Sequence, residues 1–114
     1  MKISKVISLD CKTKENRKIL IETVANLPLF NDKDVNVNTL EKAINKMSNK
    51  YPIILGYMLR CQDSSYWSAM IKETNHHECV KTIYGESIFE VFLKATLFMY
   101  VYIKKVIKKE NKDG

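Results

Sequence analysis

Residues 87–109 constrain the fold of this chain more than any other stretch. Ser87 can cap a helix, and Glu90 three residues later completes the capping-box pattern Ser87, Ile88, Phe89, Glu90. The spacing predicts a helix over 88–109. Glu90 and Lys94 stand four apart in the favourable order. Ile88, Phe92, Ala95, Met99, Ile103 and Val106 line one face, and Phe89, Leu93, Tyr100 and Ile107 widen it. The opposite stripe ought to be polar. It holds Glu86, Glu90, Lys94, Lys104, Lys105 and Lys108, but also Leu97 and Val101. A helix that is apolar nearly all round at mid-length is either enclosed or meets a partner. Two readings stay open. Leu97 and Val101 form a partner or homodimer surface on the C-terminal helix, or the N-terminal arm covers them.

Three strands are predicted ahead of that helix. Ile53 to Cys61 alternates as Ile53, Leu55, Tyr57, Leu59 and Cys61 against Ile54, Gly56, Met58 and Arg60. Tyr66 to Thr74 puts Trp67, Ala69, Ile71 and Glu73 on one face, and Tyr66, Ser68, Met70 and Lys72 on the other. Cys79 to Tyr84 alternates likewise, and Gly85 breaks it. The links 62–65 and 75–78 are short and polar, which forces antiparallel pairing because parallel strands need a long crossover. Trp67, in register with Ala69 and Ile71, is assigned to the core, and Tyr66 to the open face.

A helix beginning at Asn38 or Thr39, with Asn38 and Glu41 as a capping box, leads into the sheet. Leu40, Ala43, Ile44, Met47 and Tyr51 form its apolar face, and Pro52 forbids its continuation. Residues 28–38 read as a connector rich in Asn and Asp. Upstream, Ile3, Lys5, Ile7 and Leu9 recur at period two and suggest a short strand. Thr13 can cap a helix over 14–26 with Ile19, Leu20, Thr23, Val24 and Leu27 on its apolar side, stopped by Pro28. The expected architecture is a single α+β domain over 1–114. A three- or four-stranded antiparallel sheet packs with two or three helices. Residues 1–30 form an N-terminal strand and helix arm, 39–109 an α-β-β-β-α core, and 110–114 a basic tail.

Charge narrows the partners. The chain has 114 residues and a formal net charge of +6, from 19 Lys+Arg against 13 Asp+Glu. Residues 1–18 hold six basic and two acidic side chains, and residues 104–114 hold five and two. The 85 residues between them carry eight basic and nine acidic groups. The body is therefore near neutral and the ends are basic, unlike a domain that spreads Lys and Arg over one face to meet nucleic acid. Only two of the basic residues are Arg, the residue suited to bidentate phosphate contact. If nucleic acid is bound, the candidates are Lys12, Lys14, Arg17 and Lys18 at one end, and Lys104, Lys105, Lys108 and Lys109 at the other.

No stretch reaches the roughly 18 uncharged apolar residues of a membrane span. Lysines at positions 2 and 5 interrupt what would be a signal-peptide core, so a cytoplasmic location with reduced thiols is expected for Cys11, Cys61 and Cys79. Isolated glycines exclude a glycine-rich phosphate loop, and no metalloprotease or nucleophile-elbow pattern occurs. His76, His77, Glu78 and Cys79 are the one metal-like cluster. Neighbours at a strand tip diverge, whereas a closed zinc site needs four converging ligands. No metal, cofactor or catalytic residue is assigned. Arg60, the one Arg of the neutral body, and Tyr66 on the open sheet face are assigned as partner-binding residues together with Leu97 and Val101.

The order helix, strand, strand, strand, helix resembles double-stranded-RNA-binding domains in topology. Those domains carry lysines at the start of the last helix. Here that position reads Tyr84, Gly85, Glu86, Ser87, Ile88, Phe89, Glu90, with two carboxylates and no lysine before Lys94. Residues 39–108 also resemble the α-β-α sandwich-type domains of small phage and prophage proteins. The resemblance is carried by Trp67 to Ile71, Thr82 to Glu90 and Lys94 to Tyr100. It implies a small non-enzymatic binding protein of mobile-element type, and some such proteins inhibit host immunity as anti-CRISPR proteins do. Its expected partner is a host protein or nucleoprotein complex. The alternative is a nucleic-acid-binding module using the two basic ends.

Overall fold

The computed structural model describes residues 3–9, 12–30, 34–51, 53–60, 66–73 and 79–113, with side chains at all of these except 3–4, 57–60 and 107–113. Four helices and three strands follow in the order α1 (Ile3–Ile7), α2 (Lys14–Ala25), α3 (Val37–Lys50), β1 (Ile53–Arg60), β2 (Trp67–Glu73), β3 (Cys79–Gly85) and α4 (Ile88–Asp113). The sheet is antiparallel in the order β1-β2-β3. The class is α+β.

The helix starts follow from capping chemistry. Thr13 Oγ1 accepts from the Asn16 amide at 3.1 Å, as its position predicts. At α3 the box forms two residues earlier than Asn38 and Glu41 suggest. Asn36 Oδ1 accepts from the Thr39 amide at 2.9 Å, and Thr39 Oγ1 accepts from the Asn36 amide at 2.9 Å. The same hydroxyl donates to the Asp34 carbonyl at 2.7 Å, a task no carboxylate performs. Val35 and Leu40 then occupy the positions of a hydrophobic staple, and both join the core. At α4, Ser87 Oγ accepts from the Glu90 amide at 3.1 Å, while Glu90 Oε2 reaches back to the Glu86 amide at 2.9 Å.

Residues 3–7 are helical, so the expected N-terminal strand is absent and the sheet has three strands. Ile3, Val6 and Ile7 fit helical spacing as well as Ile3, Lys5 and Ile7 fit strand spacing. Tertiary packing decides between them: α1 packs on α4, and Val6 is left only 1% exposed.

α4 is the hub of the core. It packs against α3, β2, β3, α1 and α2. Every residue from Glu90 to Leu97 is buried. Leu97 is 0% exposed, so it is a core residue and not the surface contact entertained above. With the arm docked on α4, Leu97 is enclosed within the chain itself. Val101 on the same stripe is half-buried.

Candidate partner-binding surfaces

The sheet turns one face inward. Ile53, Ala69, Ile71 and Ile83 are buried, Trp67 is half-buried against them, and α3 and α4 supply the covering helices. By strand alternation Ser68, Met70, Thr82 and Tyr84 belong to the opposite face. The register pairs Ser68 with Tyr84 and Met70 with Thr82. Ser68, Met70 and Thr82 are half-buried, and Tyr84 is 57% exposed.

Tyr66 lies beside this face and is 38% exposed. Its ring meets that of Tyr84 edge to face, with centroids 5.7 Å apart and planes at 73°. Among the described residues, these two and Val37 are the large hydrophobic side chains left exposed. Tyr66 stands where the sequence places it. Tyr84 is the partner that sequence reasoning did not single out, because a strand pattern does not say which tyrosines the register brings together.

β1 carries a bulge between Leu55 and Met58. Leu55 lies opposite Ile71 and Met58 opposite Ala69, so three steps of β1 meet two of β2. The uninterrupted alternation expected over 53–61 therefore does not hold. Arg60 ends β1 opposite Trp67, which itself pairs with Gly85. The backbone positions of Arg60, Tyr66 and Tyr84 thus gather at one end of the sheet. The Arg60 side chain lies outside the described ones.

The basic ends have a different setting. Lys12, Lys14, Arg17 and Lys18 are exposed, as are Lys104 and Lys105 on α4. Lys18 pairs with Glu22 at 4.0 Å, and the Lys104 ammonium sits 4.7 Å from the centre of the Tyr100 ring. The side chains of Lys108 and Lys109 lie outside the described ones. So do Cys11, Cys61, His76, His77 and Glu78, on which the metal and thiol readings partly rested. Cys79 is exposed, with its Sγ 3.5 Å from Thr82 Oγ1.

A corner between β3 and α4 holds the buried charged side chains among the described residues. Glu90 is 5% and Lys94 8% exposed. Lys94 Nζ stands 3.9 Å from Glu90 Oε2, within Coulomb reach but beyond a hydrogen bond. Glu90 Oε1 is buried and has no hydrogen-bond partner. A Cβ on Gly85 would collide with Glu90 Oε2 and lie 3.0 Å from Val91 Cγ2, so the carboxylate occupies the space that the glycine leaves. Beside this corner a groove of about 260 Å³ runs along β3, and Lys94 forms part of its lining. The i,i+4 spacing of Glu90 and Lys94 signalled the pair in the sequence; nothing there signalled that it would be buried.

Compared with known protein families, curated proteins and solved structures, the chain matches none of them. No described helix is long and apolar enough to cross a membrane.

Proposed function

We propose that this chain is a non-enzymatic protein-binding module that acts by covering a surface of another protein or nucleoprotein complex. The type is the small phage protein that blocks a host defence in the cytoplasm, as anti-CRISPR proteins do. The observation that carries the reading is the exposed Tyr66–Tyr84 pair on the open sheet face. Tyrosine is enriched at protein interfaces, where its rigid ring buries much area at little entropic cost. Around the pair Ser68, Met70 and Thr82 are uncharged, and with Lys72 further along the face and Arg60 at the end of the sheet the cations are sparser than a phosphate backbone calls for. The rings also meet at 73°, so the edge of one closes off a face of the other that a stacked base would need.

Affinity capture from a nuclease-treated host lysate tests this, run in parallel with wild type and a Tyr66→Ala, Tyr84→Ala double variant. Interface tyrosines at hot spots contribute roughly 2 kcal/mol or more each. A specific partner should therefore be retained by wild type and lost from the folded double variant. Capture that disappears with nuclease, or that falls steeply with salt and depends on Lys12, Lys14, Lys104 and Lys105, overturns the reading in favour of nucleic acid.

A further inference from the structure

β3 is an edge strand, and among the described residues no other strand pairs with its outer side. Among the described residues no backbone hydrogen bond ties that side to another element. Such an edge is a template for a further strand unless it is covered or blunted. Here it opens onto a groove. Ile7, the last residue of α1, and Ser8 line it together with four consecutive β3 residues, 81–84.

The chemistry of the groove is specific. Lys94 contributes to its lining, yet the residue is only 8% exposed. Its one described partner, Glu90 Oε2, is 3.9 Å away. Among the described residues the ammonium thus has its counter-charge but no acceptor within hydrogen-bonding distance, although it carries three donors. Lys81, exposed on β3 opposite the buried Ile71, adds a second cation to the same groove. Among the described lining residues the charged ones are Lys81 and Lys94, while Glu90 beside Lys94 uses Oε2 to accept from the Glu86 amide and leaves Oε1 without a partner.

We infer that the β3 edge binds an extended, acidic segment of a partner protein, which adds as a fourth strand and places a carboxylate on Lys94. Main-chain pairing along residues 79–85 supplies the register, and the charge-assisted bond to Lys94 selects an acidic side chain. Tyr84 lines the groove and also belongs to the aromatic pair, so the edge continues the open face. The inference rests on the protein-binding reading for the existence of a partner. Its test uses synthetic peptides, so the edge and the aromatic face can fail separately.

The probe is an N-acetylated, C-amidated hexapeptide alternating glutamate and valine, titrated into the isotope-labelled full chain and followed by amide chemical shifts. Saturable shifts and slowed exchange along 79–85 are expected. The glutamine–valine peptide should bind about tenfold more weakly, the difference between a charge-assisted and a neutral contact. Lys81→Gln, at the surface, should keep the fold and weaken the glutamate peptide. Removing both buried charges together, by Glu90→Gln with Lys94→Met, should reduce the preference between the peptides further than Lys81→Gln does, and adding Lys81→Gln to that pair should erase it. Equal affinity for the two peptides in wild type overturns the proposal. So do shifts confined to Tyr66 and its open-face neighbours, equal saturation by glutarate alone, or concentration-dependent β3 shifts in the absence of peptide, which would mark a second copy as the occupant.

Discussion

Replacing Leu97 by alanine separates an enclosed helix from an interface helix. Leu97 has no accessible surface and lies at the end of an unbroken buried run from Glu90. Truncation therefore removes buried methyl groups and leaves a cavity walled by elements that pack on α4 from several sides. Such changes cost about 2–5 kcal/mol. Leu97 is wholly enclosed on a helix held by five other elements, so limited collapse is expected and about 3–4 kcal/mol is the expected cost. A domain of this size has roughly 5–15 kcal/mol in total, so the loss is a large fraction. At about 4 °C per kcal/mol, the melting temperature should fall by roughly 12–16 °C. Urea unfolding followed by far-ultraviolet circular dichroism measures it, with light scattering to record the mass. The slope should stay constant while the midpoint falls. Val101→Ala, at a half-buried site, should cost only about 1 kcal/mol. A Leu97→Ala protein within about 0.5 kcal/mol of wild type, accompanied by a change of oligomeric state, would refute the enclosure.

Three other perturbations test particular contacts. Gly85→Ala drives a methyl group into the Glu90 carboxylate and Val91, and should cost about 1–3 kcal/mol while speeding amide exchange in the first turn of α4. Asn36→Ala should lower stability by about 1 kcal/mol in urea melts, whereas Asn38→Ala should change it by less than about 0.5, because Asn36 is the residue that caps α3. Lys94→Met alone leaves a buried carboxylate without its counter-charge and should cost about 3–5 kcal/mol. Adding Glu90→Gln should recover most of that loss in the same melts, since the pair is then removed as a unit.

What the sequence reveals and conceals divides along a physical line. Local chemistry was legible. Thr13 caps α2, Ser87 caps α4, and the alternation on either side of short links became three antiparallel strands. The apolar face of α3 is the buried one, with Leu40, Ala43, Ile44 and Met47 all inside. Where two local patterns competed, packing chose. Residues 3–9 satisfy period two and helical spacing at once, and the docking of Val6 against α4 selected the helix. Asn36 and Asn38 both suit a cap, and the decision fell to Thr39, whose hydroxyl accepts and donates in the same turn. The Tyr66–Tyr84 pair depends on a register that no single strand encodes, and the irregularity between Ile71 and Lys72 in the β2–β3 pairing shifts it.

The burial of Leu97 also redirects the search for a partner surface. A small domain buries a modest share of its chain, so it gains most from an element that can be covered on every side. α4 is that element here, with the sheet, α3 and the α1–α2 arm all packed on it. Its buried run from Glu90 to Leu97 is thereby accounted for within one copy, while Val101 on the same stripe is half-buried. α4 itself and α3 mask the inner face of the sheet. What stays available is the outer face, with Tyr66 and Tyr84, and the β3 edge beside Lys94. The two meet at Tyr84, so a partner that engages one is already within reach of the other.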